Sequence, residues 1–131
     1  MIRAKIISEV VGSPQNHVDD TLKLLLDKIK ERKDFVVNNE QIFEAQKMEN
    51  NPLFSGFIEY ELELSDVKKV IDFCFDFMPS SIEIIEPDEF NINSFIISDL
   101  FNELMARLHQ NELTLRNALA QIELLKKSNG K

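Results

Sequence analysis

Apolar and polar positions alternate from the start of the chain. Ile2, Ala4 and Ile6 are separated by Arg3 and Lys5, the period-two signature of a strand with one wet face. Gly12-Ser13-Pro14 ends the pattern. A spacing of three and four then takes over at Val18, Leu22, Leu25, Leu26 and Ile29, which predicts a helix. Ser13 or Asn16 is its expected cap. Asp19 and Asp20 fall in the expected first turn and Lys28, Lys30, Arg32 and Lys33 near the end, as the helix dipole favours. Phe35-Val36-Val37 is strand-like and Asn38-Asn39 is expected as a turn. Beyond it, Gln41 to Met48 either continues the strand or leaves it. After a Glu49–Pro52 loop, Leu53 to Leu64 is the cleanest strand. Phe54, Ile58, Tyr60, Leu62 and Leu64 share the expected core face, and Phe57, Glu59, Glu61 and Glu63 share the wet one.

Ser65 is the expected cap of a second helix, with Asp66 in its first turn, and Pro79 stops it. Lys68, Lys69, Asp72 and Asp76 form one narrow polar stripe on this helix. The rest is apolar over an arc wider than packing on one sheet face requires. Further cover over Phe73 or Phe75 is expected, from the C-terminal helix or from a second subunit. Ser81 to Glu86 reads as a short strand. A long helix, opened by Asn93 or Ser94, runs to about Lys127. Strand, helix, strand, strand, helix, strand is the order of a ferredoxin-like β-α-β-β-α-β sandwich. The expected fold is therefore α+β, with that domain over residues 1–92 and a long C-terminal helix over 93–131.

Within this last helix a heptad-like seam is followed from Ile97 through Phe101, Leu104, Leu108, Asn111, Leu115, Ala118, Ile122 and Leu125. A repeat of 3.5 residues argues for a coiled coil or a helical hairpin. Asn111 is then a register-setting residue, because an amide in the seam needs a partner. A helix of about 35 residues spans about 50 Å, longer than the ~30 Å of a compact domain of about 90 residues. An apolar stripe projecting alone is costly. A homodimer through Phe101, Leu104, Leu108, Asn111, Leu115, Ile122 and Leu125 is expected. The alternative is a break near His109-Gln110-Asn111, with the second half folded back as a hairpin.

Charge sharpens this picture. The 131 residues carry 23 acids against 15 bases, a net charge of −8. Between Glu59 and Glu89 lie ten acids and two bases, which by themselves account for that charge. Glu59, Glu61, Glu63, Asp72 and Asp76 are read as an acidic docking surface for a basic protein partner, with a solvated acidic face as the plainer alternative. Nucleic acid is not expected as a partner, since phosphate binding needs clustered Lys and Arg. Cross-strand ion pairs from Arg3 and Lys5 are expected on the glutamate face. No apolar run approaches the roughly 20 residues of a membrane span, and no signal-peptide core opens the chain. A cytoplasmic protein without a membrane partner is expected.

Chemistry-bearing residues are sparse. Cys74 is the sole cysteine, which excludes an internal disulfide and a thiolate zinc cluster. It falls on an apolar helix face, where an inert thiol is expected. No nucleophile–base pair or metal-ligand spacing is present, so neither an enzyme nor a cofactor is expected. Gly12, Ser13, Asn16 and His17, at the junction of first strand and helix, are the candidate ligand-binding residues.

The strand order and the strand–Gly–Pro–helix opening resemble the ACT-like branch of ferredoxin-like regulatory domains over about residues 1–90. That resemblance implies edge-to-edge dimers and a small-metabolite sensor, although the glycine-rich effector loop is missing. Over residues 56–104, Gly56, Glu61-Leu62-Glu63-Leu64, Asp66-Val67, Phe77 and Ile82-Glu83-Ile84-Ile85-Glu86-Pro87 resemble the C-terminal extension of WYL-type regulators. Ser55 to Leu62 is similar to the central strand of RNA-recognition domains. It has Ser55 where those carry a basic residue and Glu59 where they carry a stacking aromatic.

Overall fold

The computed structural model describes residues 1–130. The chain divides into two compact units, Met1–Phe90 and Asn91–Lys131. The first contains β1 (Ile2–Gly12), α1 (Gln15–Glu31), β2 (Phe35–Lys47), β3 (Phe54–Leu64), α2 (Val67–Phe77) and β4 (Ser81–Glu86). The strands form one antiparallel sheet in the order β2-β3-β1-β4. This is an α+β ferredoxin-like sandwich followed by a long helix.

The core follows from the alternation in β1 and β3, which pair in register from Ile2↔Leu64 to Gly12↔Phe54. Even-numbered residues of both strands point the same way. Ala4, Ile6, Ile58, Tyr60 and Leu62 are fully buried beneath Val18, Leu22 and Ile29 of α1 and Phe73 of α2. Phe73 is buried within the aromatic cluster of this unit. It packs edge-on against Phe35 at 5.3 Å between ring centroids and lies 5.1 Å from Phe77. Ser8 is buried in the core beside Tyr60, and their hydroxyls share a 2.8 Å hydrogen bond. Burial pushes the Tyr60 phenol up to about 12.

Several local expectations are corrected. Neither Ser13 nor Asn16 caps α1. Pro14 occupies that position, and its carbonyl accepts from His17 N–H and Val18 N–H. Asp19 lies beyond the first turn and points to the sheet. The supposed turn at Asn38-Asn39 is a bulge inside one continuous strand: the β2–β3 register shifts between Asn38 and Gln41, with Asn39 at φ 53°. Asn tolerates this left-handed conformation better than most residues. A second shift falls between Phe43 and Gln46. It leaves the backbone of Ala45 off the ladder, and α1 satisfies it. Asp19 accepts from Ala45 N–H at 2.8 Å, and Gln15 Nε2 donates to the Ala45 carbonyl at 2.7 Å. A buried backbone group needs such a partner. Gly56 lies beside this bulge, where a Cβ would come within 2.5 Å of Leu22 Cδ1. Glycine is what lets α1 approach the sheet there. Asp66, not Ser65, caps α2 and accepts from Lys69 N–H at 3.0 Å.

The second unit contains α3 (Ser94–Asn129), 36 residues without interruption. Asn93 caps it, accepting from Ile96 N–H at 2.9 Å. The helix continues through His109-Gln110-Asn111, so the fold-back alternative is corrected. Nothing there ends it, since those residues can all be helical and neither Gly nor Pro intervenes.

Candidate functional site

Each unit presents one chemically distinctive surface. The first is the outer face of the sheet, turned away from α1 and α2. Strand alternation places Glu59, Glu61 and Glu63 there together, as the sequence implies. Lys5 forms a 2.7 Å ion pair with Glu59, and Asn39 Nδ2 donates to Glu61 at 2.7 Å. Glu59, beside the Lys5 ammonium, raises the Lys5 pKa. Arg3 faces Glu63 in register but pairs with Glu86 of β4 at 3.3 Å.

Asp72 and Asp76 do not join this surface, which corrects their grouping with the three glutamates. They belong to α2, which packs on the opposite face of the sheet. Asp72 pairs with Lys68 at 3.1 Å and Asp76 with Arg32 at 3.1 Å. Arg32 also holds Asp34 at 2.7 Å and stacks 5.6 Å from the centroids of both Phe35 and Phe77. The Arg32 hydrogen bond holds the Asp34 carboxyl below its usual value. This cluster seals one end of the core.

Sequence reasoning missed an apolar centre on the outer face. Ile7, Phe43 and Phe57, with Glu59, line a shallow depression of about 290 Å³. Phe43 and Phe57 face each other across β2 and β3 and are 40% and 39% exposed. The available signal was Ile7 and Phe57 at positions whose alternation assigned them to solvent. Phe43 lies in the Gln41–Met48 segment, where the sequence leaves open whether the strand continues. The outer face thus combines an aromatic patch, with Glu59 at its rim, and the further glutamates Glu61 and Glu63 along β3.

The second surface is α3. Phe101, Leu115 and Leu125 are 61%, 59% and 63% exposed, and Leu108 and Ile122 about half exposed. Asn111 is exposed within the same seam, and Leu104 is half-buried. Two ion pairs along the helix, Arg107–Glu103 at 3.1 Å and Arg116–Glu112 at 2.6 Å, lie beside it.

The β1–α1 junction is less organised. Ser13, Asn16 and His17 are exposed and Gly12 half-buried. The polar contacts there are local, with Asn16 Oδ1 accepting from His17 N–H and Thr21 Oγ1 donating to the His17 carbonyl. Cys74 is half-buried on α2, and burial pushes its thiol pKa up, the opposite of activation. Among the described residues, no group of three His, Cys, Asp or Glu side chains is placed to hold a metal. Among the same residues, no helix is long and apolar enough to cross a membrane.

No curated protein and no solved structure matches this chain. A family model does, over residues 3–128 and so through the sheet unit and nearly all of α3, and the chain belongs to the MJ0538 family.

Proposed function

We propose that this protein is a non-enzymatic, cytoplasmic interaction subunit that self-associates through α3 and presents the outer face of its sheet to a basic protein partner. The observation that carries the reading is the exposed seam of α3. Large apolar side chains at coiled-coil spacing, with Phe101, Leu108, Leu115, Ile122 and Leu125 about half exposed or more, are covered at low cost by another helix of the same kind. The docking role rests on Glu59 beside the Phe43–Phe57 pair and on Glu61 and Glu63 further along β3, a composition that attracts cations and repels phosphate backbones.

The ACT-like reading would pair subunits edge to edge. Against pairing through one of the two edges stands β2, which carries two register shifts and exposes Glu40 and Glu44. Bulges and charges on an edge discourage strand addition.

Light scattering on the full chain tests the proposal. The expected mass is that of two chains or more, falling to one chain in a Leu115→Asp, Ile122→Asp variant. A wild-type chain that stays monomeric at high micromolar concentration refutes self-association. The docking role is checked by binding to a Lys-rich amphipathic peptide. Affinity should fall as salt rises and should be lost in a Glu59→Lys, Glu61→Lys, Glu63→Lys variant.

A further inference from the structure

The α3 seam contains information about how two copies would lie together. With Leu108, Leu115 and Ile122 at the a positions of the heptad, Asn111 falls at d, Glu112 at e and Arg107 at g. The helix is continuous through all of them, so these heptad positions lie on one uninterrupted surface. We propose that α3 pairs with α3 of a second copy of this chain in parallel and in register. This inference rests on the self-association reading above and specifies its geometry.

Two features decide the orientation. In a parallel, in-register pair each d residue meets its own counterpart, so the two Asn111 amides face one another and each can donate to the other. A polar residue in such a seam is known to set register and orientation at some cost in stability. In the antiparallel pair that best superposes the seam, Asn111 faces Leu115 of the other copy, twice by symmetry, and both amides lose their partners. The rim charges agree. In a parallel pair a g residue lies beside the e residue five positions later on the other copy, which places Arg107 beside Glu112. In the antiparallel pair Glu112 lies beside Glu112. Opposite charges at e and g select partner orientation, and like charges there act against it. Glu112 already meets Arg116 of its own helix at 2.6 Å, so the second copy's Arg107 would extend an existing charge network. Ala118, the small d residue, opposes its own copy in the parallel pair, and Leu119 at the adjacent e position flanks that thinner layer.

The consequence is polarity. Both chains would enter the paired helices at the same end, so the two sheet units would be tethered near one another and able to engage a bivalent basic partner together.

Cysteine crosslinking on the full chain, in a Cys74→Ala background, tests the orientation. Leu125→Cys occupies a d position near the C-terminus. In a parallel pair it faces itself, and mild oxidation should join most chains to a second copy of the same variant. In the antiparallel pair it faces residue 101. A crosslink that forms only when Leu125→Cys and Phe101→Cys chains are mixed overturns the proposal while leaving self-association intact. A monomeric mass for the uncrosslinked parent refutes the underlying reading instead. Asn111→Leu supplies the second readout. It should keep the mass of a dimer or larger and admit both crosslinks, because the orientation device is gone. If Asn111→Leu still crosslinks only through Leu125→Cys, Asn111 does not set the orientation.

Discussion

The sheet unit and α3 use the same kinds of apolar residue to opposite ends. In the sheet unit, Tyr60 and Phe73 are sealed, at 0% and 1% exposure, between the sheet and its two helices. In α3, Phe101, Leu115 and Leu125 stand in solvent, and Leu100 is the buried residue among those described. Amphipathic periodicity by itself therefore says that a face will be covered, not by what. In the first unit, α1 and α2 return to one sheet face through short connections, and the cover comes from the same chain. In the second, one unbroken helix of 36 residues, about 54 Å long, has no such connection to fold it back on itself.

That contrast can be broken at graded cost. Phe73→Ala removes the ring at the centre of the aromatic cluster and should destabilise the sheet unit by about 3–5 kcal/mol, read from urea midpoints. A loss below about 1 kcal/mol would mean that this core is not sealed. Gly56→Ala forces a methyl group against Leu22 and should cost about 1–3 kcal/mol, with retained secondary structure by circular dichroism. Tyr60→Phe strips the buried Ser8 hydroxyl of its partner and should cost about 1 kcal/mol. The double variant Tyr60→Phe, Ser8→Ala should recover much of that loss. Acid acts next. The Asp34 pKa is lowered in the folded state, so its contribution is present above the usual 3.8 and is lost as pH falls through the lowered value. Asp34 and Arg32 are partly exposed, which limits the pair to at most about 1 kcal/mol, and Asp34→Asn should flatten that part of the acid limb. Leu115→Asp should shift the sheet unit's own midpoint by less than about 0.5 kcal/mol, measured at dilution where chains are single. A large shift would mean that α3 helps hold the sheet unit together.

Much of the fold was legible because strands and helices leave short-range periodicities. The two faces of β3 were visible in the alternation from Ile58 to Leu64, and the continuity of α3 in the absence of Gly or Pro. The caps were less legible, because Ser65 and Asp66 are both good capping residues. Only the backbone at Lys69, whose N–H meets Asp66, distinguishes them. The site was legible in part. Glu59, Glu61 and Glu63 fall on one face by strand geometry. Asp72 and Asp76 share their sign and sequence neighbourhood but not their surface, since a helix and a strand of one motif can lie on opposite sides of the sheet.

The sequence by itself determined the order of the elements, the buried faces of β1, α1 and β3 and the stripe along α3. These depend on residues two to four positions apart, and such patterns survive without knowledge of the rest of the chain. Only the tertiary structure decided the bulges of β2, the reach of Asp19 and Gln15 to Ala45, the seating of Arg32 over Phe35 and Phe77, and the meeting of Ile7, Phe43 and Phe57. Each joins residues distant in sequence. Where such residues meet depends on which strands pair and at what register, and that is settled by long-range hydrogen bonds and packing acting together.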